Sequence, residues 1–337
     1  MEIIFALLLL CLLITFHEYG HYYIGKLNGI RANKFAIGFG PRLFKWYRDG
    51  TEFSFRPILI GGFVEFVGEE DYEDQDDTTL PLKGSFNAAS VKARLLTILA
   101  GPVANILIAW VLAVILLCGS GVFGQTVISS IEPNSLAQEA GLQVGDVIKS
   151  LDGQELNFYA LDRSAWVPNS ESTSLVLDRD GQLIDITIAK NGQDLIGIET
   201  SSQPYDFFTA LGMSFRWLWE QTVMIFKTLG GLFTGVVKVS DMSGIVGVTA
   251  VTGQAIQTGS WEIVFALLAL VSLNLGIFNL LPLPLLDGGK AIQFSIEGVT
   301  KKSVNTKLIE KLTIATAIIL LAFMGYLVFI DITRLMV

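Results

Sequence analysis

The sequence predicts an α-helical polytopic membrane protein with four transmembrane helices, a membrane-associated β region and one inserted α+β domain. Three observations predict it. The 337 residues are 51% hydrophobic with a mean hydropathy of +0.55, too apolar for a soluble chain of this length and too mixed for spans alone. Four segments, 3–24, 95–118, 263–281 and 312–330, are long and apolar enough to cross a bilayer. Between the second and third, residues 125–200 carry the cap, turn and hairpin signals of a small folded domain.

The first span (1–24) ends in HEYGH, residues 17–21, and His17 and His21 are the only two histidines of the chain. On a helix, residues four apart lie about 40° apart around the axis, so both imidazoles face one cation with Glu18 beside them. A polar helix end produces the same letters by chance, but a Glu between two His in a membrane span is costly to insert and marks function by default. Glu2 precedes the apolar run and no cleavage signal follows, so this segment is expected to be a retained span. Cys11 and Cys118 both lie in apolar runs and read as small buried hydrophobes.

Residues 25–92 turn to β pattern. Phe35, Ile37 and Phe39 alternate with smaller or polar residues, as do Phe53 and Phe55, and Gly61-Gly62 precedes a strand expected at 63–67. Such strands either pack as a hairpin or offer an unpaired edge toward HEYGH. Residues 69–77 (EEDYEDQDD) read as a solvated acidic linker. The second span (93–118) contains AGPVAN, 100–105, where Gly101 permits close helix approach, Pro102 removes a backbone donor, and Asn105 is a polar residue facing the bundle.

Within the inserted domain (119–200), Ser135 and Gln138 form a capping box, Gly141 ends that short helix, and Asp152-Gly153 closes a strand at 147–151. Asp180-Gly181 joins a hairpin. Residues 201–261 hold a long apolar stretch interrupted by Arg216, Glu220 and Lys227, expected as amphipathic interfacial helices. The third span and its following segment (262–290) end in NLLPLPLLDGGK, where Pro282 and Pro284 stop the helix. Asp287 before two glycines is either a turn residue or helix cap, or the third ligand that two histidines still need. A Lys-rich loop (291–311) and the fourth span (312–337) complete the chain.

Loop charge gives orientation. Six basic and no acidic residues lie between Lys26 and Arg48, against 15 acidic and 7 basic between Gly119 and Trp261. The positive-inside rule then places HEYGH, Asp287 and the Lys-rich loop at the cytoplasmic end and the inserted domain outside. A net charge of −9 with no basic block argues against nucleic acid.

HEYGH, AGPVAN, SLAQEAGLQVGDVIKSLDGQEL at 135–156 and NLLPLPLLDGG, in this order over nearly the whole chain, resemble the site-2 protease family of intramembrane zinc metalloproteases, with the insert resembling a PDZ domain. The resemblance implies Zn2+ held by His17, His21 and Asp287, with Glu18 as general base and Asn279 and Pro282 near bound substrate. It also implies that residues 34–40 and 51–67 form a re-entrant β region with an edge strand, and that Leu195, Ile196, Gly197 and Ile198 form a peptide-binding loop. Regulated intramembrane proteolysis is the implied activity. The implied substrates are single-pass membrane proteins already trimmed by another protease, such as anti-sigma factors or signal-peptide remnants. The implied location is a bacterial inner membrane with the PDZ-like domain on the periplasmic side. Two features depart from the family. The outer segment has room for one PDZ-like domain where tandem copies occur, and Ile245 replaces a proline in SGIVG, 243–247. A non-catalytic PDZ scaffold or a metal transporter are the alternatives. A scaffold has no use for an intramembrane HExxH, and a transporter needs ligands along a path through the bilayer.

Overall fold

The computed structural model describes residues 2–69, 84–119, 125–155, 172–189, 196–302 and 304–336. It divides into two compact units, Met1–Val111 with Leu218–Val337, and Leu112–Trp217. Most of the acidic linker and Leu195 lie outside the described residues.

Among the described residues, four helices are long and apolar enough to cross a membrane by length and composition: α1 (Glu2–Leu27), α2 (Val91–Gly119), α6 (Trp261–Asn279) and α8 (Thr306–Met336). The helix α4 (Phe207–Thr234) is not among them, because charges recur along it. A shorter apolar helix, α5 (Ile245–Gln257), is capped by a residue remote in sequence. The buried Asp331 carboxylate of α8 accepts from the Gly244 and Gly247 amides at 2.9 and 2.8 Å, an anion at a helix N-terminus. A side chain at Gly244 or Gly247 would stand 2.9 Å from that carboxylate, which explains both glycines of SGIVG. Residues 291–300, expected in a loop, continue the helix α7 (Asp287–Thr300), which ends where Lys301 takes a left-handed conformation.

The β region is a four-stranded sheet, β1 (Ala32–Phe39), β2 (Phe44–Arg48), β3 (Thr51–Phe55) and β4 (Ile58–Phe66), in the order β2-β3-β1-β4. Sequence reasoning missed β2. All five of its residues are exposed, although Phe44 and Trp46 flank Lys45 in alternation and Asp49-Gly50, both with positive φ, closes its hairpin with β3. The last strand also starts earlier than expected and runs through both glycines. A side chain at Gly61 would strike the Phe39 ring, and one at Gly62 would lie 2.7 Å from the Ala36 carbonyl. Tyr22 of α1 makes edge contacts with Phe35 and Phe53, ring centroids 5.7 and 5.5 Å away. The sheet is therefore anchored one residue beyond His21.

The second unit holds β5 (Gln125–Ile131), α3 (Leu136–Glu139), β6 (Val147–Leu151), β7 (Gln154–Glu155), β8 (Ser172–Arg179), β9 (Gln182–Ala189) and β10 (Ile198–Gln203). Its antiparallel sheet runs β10-β5-β6-β8-β9, with β7 on β6, over a core that includes Ile128, Ile148, Leu175 and Leu177. Ser135 caps α3 by accepting from the Gln138 amide, and Asp180-Gly181 turns β8 into β9 with φ of 52° and 83°. Gln138 completes the cap on the Asn134 amide, one residue before the position expected of a capping box.

Asp146, 1% exposed, is gripped by Arg179 through two bonds of 2.7 Å, and the Gln143 amide also donates to it. The Arg179 hydrogen bond holds its carboxyl below the usual range. Stabilisation from this pair is complete above the unfolded carboxyl pKa, about 3.9, and is lost as pH falls through the folded value. Amide exchange across β6 and β8 in the full chain should accelerate as pH is lowered past that point, after correction for intrinsic rates. In Asp146→Asn, protection should be lower by about 1.5–3 kcal/mol at neutral pH, the range for hydrogen bonds to a charged group, and its acid dependence should weaken.

Candidate active site

The end of α1 meets α2 at very close range. A side chain at Gly20 would lie 2.5 Å from the Ala100 carbonyl, and one at Gly101 would occupy the place of the His21 ring. The glycine of AGPVAN is thus the space in which His21 sits. His21 Nδ1 stands 2.9 Å from the Thr97 carbonyl, and His17 Nδ1 stands 3.3 Å from the Asn105 carboxamide nitrogen. Residues 97, 101 and 105 are spaced four apart, so one stripe of α2 meets both histidines.

Asp287 arrives from α6. Pro282 and Pro284 end that helix, and the chain folds back over the first turn of α7 so tightly that side chains at Gly288 or Gly289 would strike the carbonyls of Leu280 and Leu283. Farther along α7, Glu297 pairs with Arg94 of α2 at 3.1 Å, both side chains 11% exposed, and the Arg94 guanidinium lies over the Phe294 ring at 4.7 Å. These contacts fix α7 against α2 and carry its first residue to the histidines.

His17 Nε2 and His21 Nε2 lie 3.1 Å apart and 3.1 and 3.4 Å from Asp287 Oδ2. One donor atom from each residue falls within 4.8 Å of the others, and all three residues are buried or nearly so. Asp287 Oδ2 is buried and accepts no well-formed hydrogen bond among the described residues. Two imidazole nitrogens and a carboxylate oxygen converge within reach of one cation, and this nitrogen-oxygen donor set suits zinc. Glu18 faces the same cavity of about 220 Å3, also lined by Val64, Asn279 and Lys290. Its Oε2 accepts from the Val64 amide of β4 at 3.0 Å. Glu69 and Lys290, paired at 2.8 Å, stand at one side.

The structure brings His17, His21, Glu18, Asp287 and Asn279 to one cavity. Pro282 is exposed and does not line it. Ile196, Gly197 and Ile198 belong to the second unit. There the Ile196 and Gly197 carbonyls accept from the Ala137 and Glu132 amides, and Ile198 begins β10. Sequence reasoning missed the roles of Thr97 and the Arg94–Glu297 pair. Thr97 acts through its backbone, which leaves no residue signal. The ion pair joins positions 203 apart, which no local pattern links.

A HExxH helix met by a third carboxylate donor is the arrangement of a zinc metalloprotease, here within a chain bearing four membrane-length helices. A sequence profile of peptidase family M50 matches residues 5–323, and the chain belongs to that family. It is 32% identical to a protein of Clostridium perfringens bearing a zinc-metalloprotease name, over 96% of each chain. A similarly named protein of Rhizobium meliloti is 30% identical over 88% of this chain and 87% of its own. Zinc metalloprotease RasP of Shouchella clausii is 29% identical over 87% and 89%. The protein is a zinc metalloprotease of the membrane, and zinc is its expected cofactor.

Gly101→Ala tests the space argument. The backbone there is helical and accepts alanine, so helix content should be unchanged, while zinc content and proteolysis fall at least about tenfold. Gly212→Ala, where a side chain meets nothing within 4 Å, should alter neither. Metal analysis and a cleavage assay on purified protein read both.

Proposed function

We propose that the chain is an intramembrane endopeptidase that cuts the transmembrane segments of single-pass membrane proteins. The observation that carries this reading is the donor cluster at the end of a membrane-length helix, with the outermost strand of the sheet, β4, beside it. His17, His21 and Asp287 are the zinc ligands. Zinc, when bound, polarises the scissile carbonyl and lowers the pKa of water toward about 7.

The remaining steps belong to the chain. A peptide bond inside a membrane helix is hydrogen-bonded to its own backbone and must be drawn out before attack. β4 ends the sheet, and its Val64 amide points at Glu18 rather than at β1. A substrate strand laid along that edge exchanges its helical hydrogen bonds for ladder bonds, which holds it extended. Glu18 then takes the proton of the attacking water and delivers it to the leaving amine nitrogen. Asn279, on the cavity wall, donates to substrate backbone.

The segment containing 119–200 is a PDZ-like domain on the periplasmic side of a bacterial inner membrane. Its place in the function is to select substrates already shortened by another protease. Anti-sigma factors and signal-peptide remnants are the substrate classes that fit this regulated intramembrane proteolysis. A transporter is disfavoured because the candidate ligands cluster at one helix end.

Glu18→Gln should retain zinc and lose cleavage of a model transmembrane substrate by about 100-fold or more. Undiminished cleavage removes Glu18 from the mechanism. Asp287→Asn should weaken zinc retention at least about tenfold, and unchanged metal content would leave Asp287 only as the acidic first residue of α7.

A further inference from the structure

Asn105 is fully buried in the second membrane-length helix, and its carboxamide oxygen has no hydrogen-bond partner among the described residues. Its nitrogen stands 3.3 Å from His17 Nδ1. The two ends of a carboxamide have the same shape, so a half-turn of the amide exchanges them without moving other atoms.

His21 shows what a ligand in this cluster requires. Its Nδ1 faces the Thr97 carbonyl, which only accepts, so the ring proton is on Nδ1 and the Nε2 lone pair faces His17 and Asp287. His17 can join it as a ligand only in the same tautomer, and that needs an acceptor at its own Nδ1. With the amide nitrogen there, Nδ1 must accept, and the proton moves to Nε2, where it faces Asp287 Oδ2 at 3.1 Å. With the oxygen there, the proton stays on Nδ1 and Nε2 is free.

We propose that Asn105 is the positioning residue for His17, turning its carboxamide oxygen to accept from Nδ1–H when a cation is held, which leaves Nε2 free for the cation. The inference rests on His17 being a zinc ligand. The turn of α2 that carries Asn105 is itself held: Ser272 of α6 donates to the Asn105 backbone carbonyl at 2.8 Å, and both residues are fully buried. The helix that leads to Asp287 therefore also sets the position of the amide behind His17.

The test is zinc affinity of the purified, metal-stripped full-length chain, measured by chelator competition. Asn105→Leu should bind zinc about 10–100-fold more weakly, whereas Asn105→Asp, which only accepts, should stay within about threefold of wild type. Cobalt substitution should shift the ligand-field bands in the Leu variant and leave them in place in the Asp variant. A purely packing role for Asn105 predicts no such difference between the variants. Should Asn105→Leu fail to fold, Asn105→Ala removes the amide without added bulk and carries the same expectation. The proposal is overturned if removing the amide leaves affinity at the wild-type level, or if Asn105→Asp loses as much as Asn105→Leu. His17→Ala separates the two levels of inference. Loss of affinity there but not on removal of the amide sinks only the role of Asn105, while wild-type affinity in both sinks the ligand assignment as well.

Discussion

The contact between α1 and α2 is the constraint on which the rest of the site depends. Gly20 meets the backbone of Ala100, and Gly101 leaves the room that His21 fills. Backbone-to-backbone approach at this range is open only to glycine, and in a membrane, where apolar surface gains nothing by leaving lipid, close packing is what holds helices together. The same approach that joins the helices aims the His21 ring, because its proton is committed to the Thr97 carbonyl.

The third donor depends on a break in a helix. A continuous α6 would carry its polar residues past the histidines along a straight axis. The two prolines release the chain, Gly288 and Gly289 let it fold back on itself, and the Arg94–Glu297 pair pins the new helix to α2. A buried ion pair of this kind contributes little net stability, since desolvating two charges offsets most of their attraction. Its value is directional. It selects one placement of α7, and Asp287 is the first residue of that helix.

The sheet is held to α1 by Tyr22, next to the second histidine, so the edge of β4 comes to the cavity and Glu18 finds the Val64 amide. Alternation marked β1 and β3 in the sequence, yet burial does not follow it: in β3 Thr51, Glu52 and Ser54 are buried while Phe53 and Phe55 are half-buried. The short alternation Phe44-Lys45-Trp46 of β2 was passed over, and the start of β4 was misplaced because its glycines are required by neighbours on β1. Alternation reports the period of a strand, but which face is covered is decided by the elements that pack on it.

The sequence alone determined the number of membrane-length helices, the donor spacing of His17 and His21, the proline break before Asp287 and the turns of the second unit. Each of these depends on residues within one or two turns of one another, so local geometry is enough. The tertiary structure decided that Asp287 reaches the histidines, that Gly101 is the space for His21, and that Asn105 stands behind His17. Those facts depend on the register between helices, which is set by the close approach of segments far apart in the chain. No periodicity within one segment encodes that register, because the atoms that fix it belong to another.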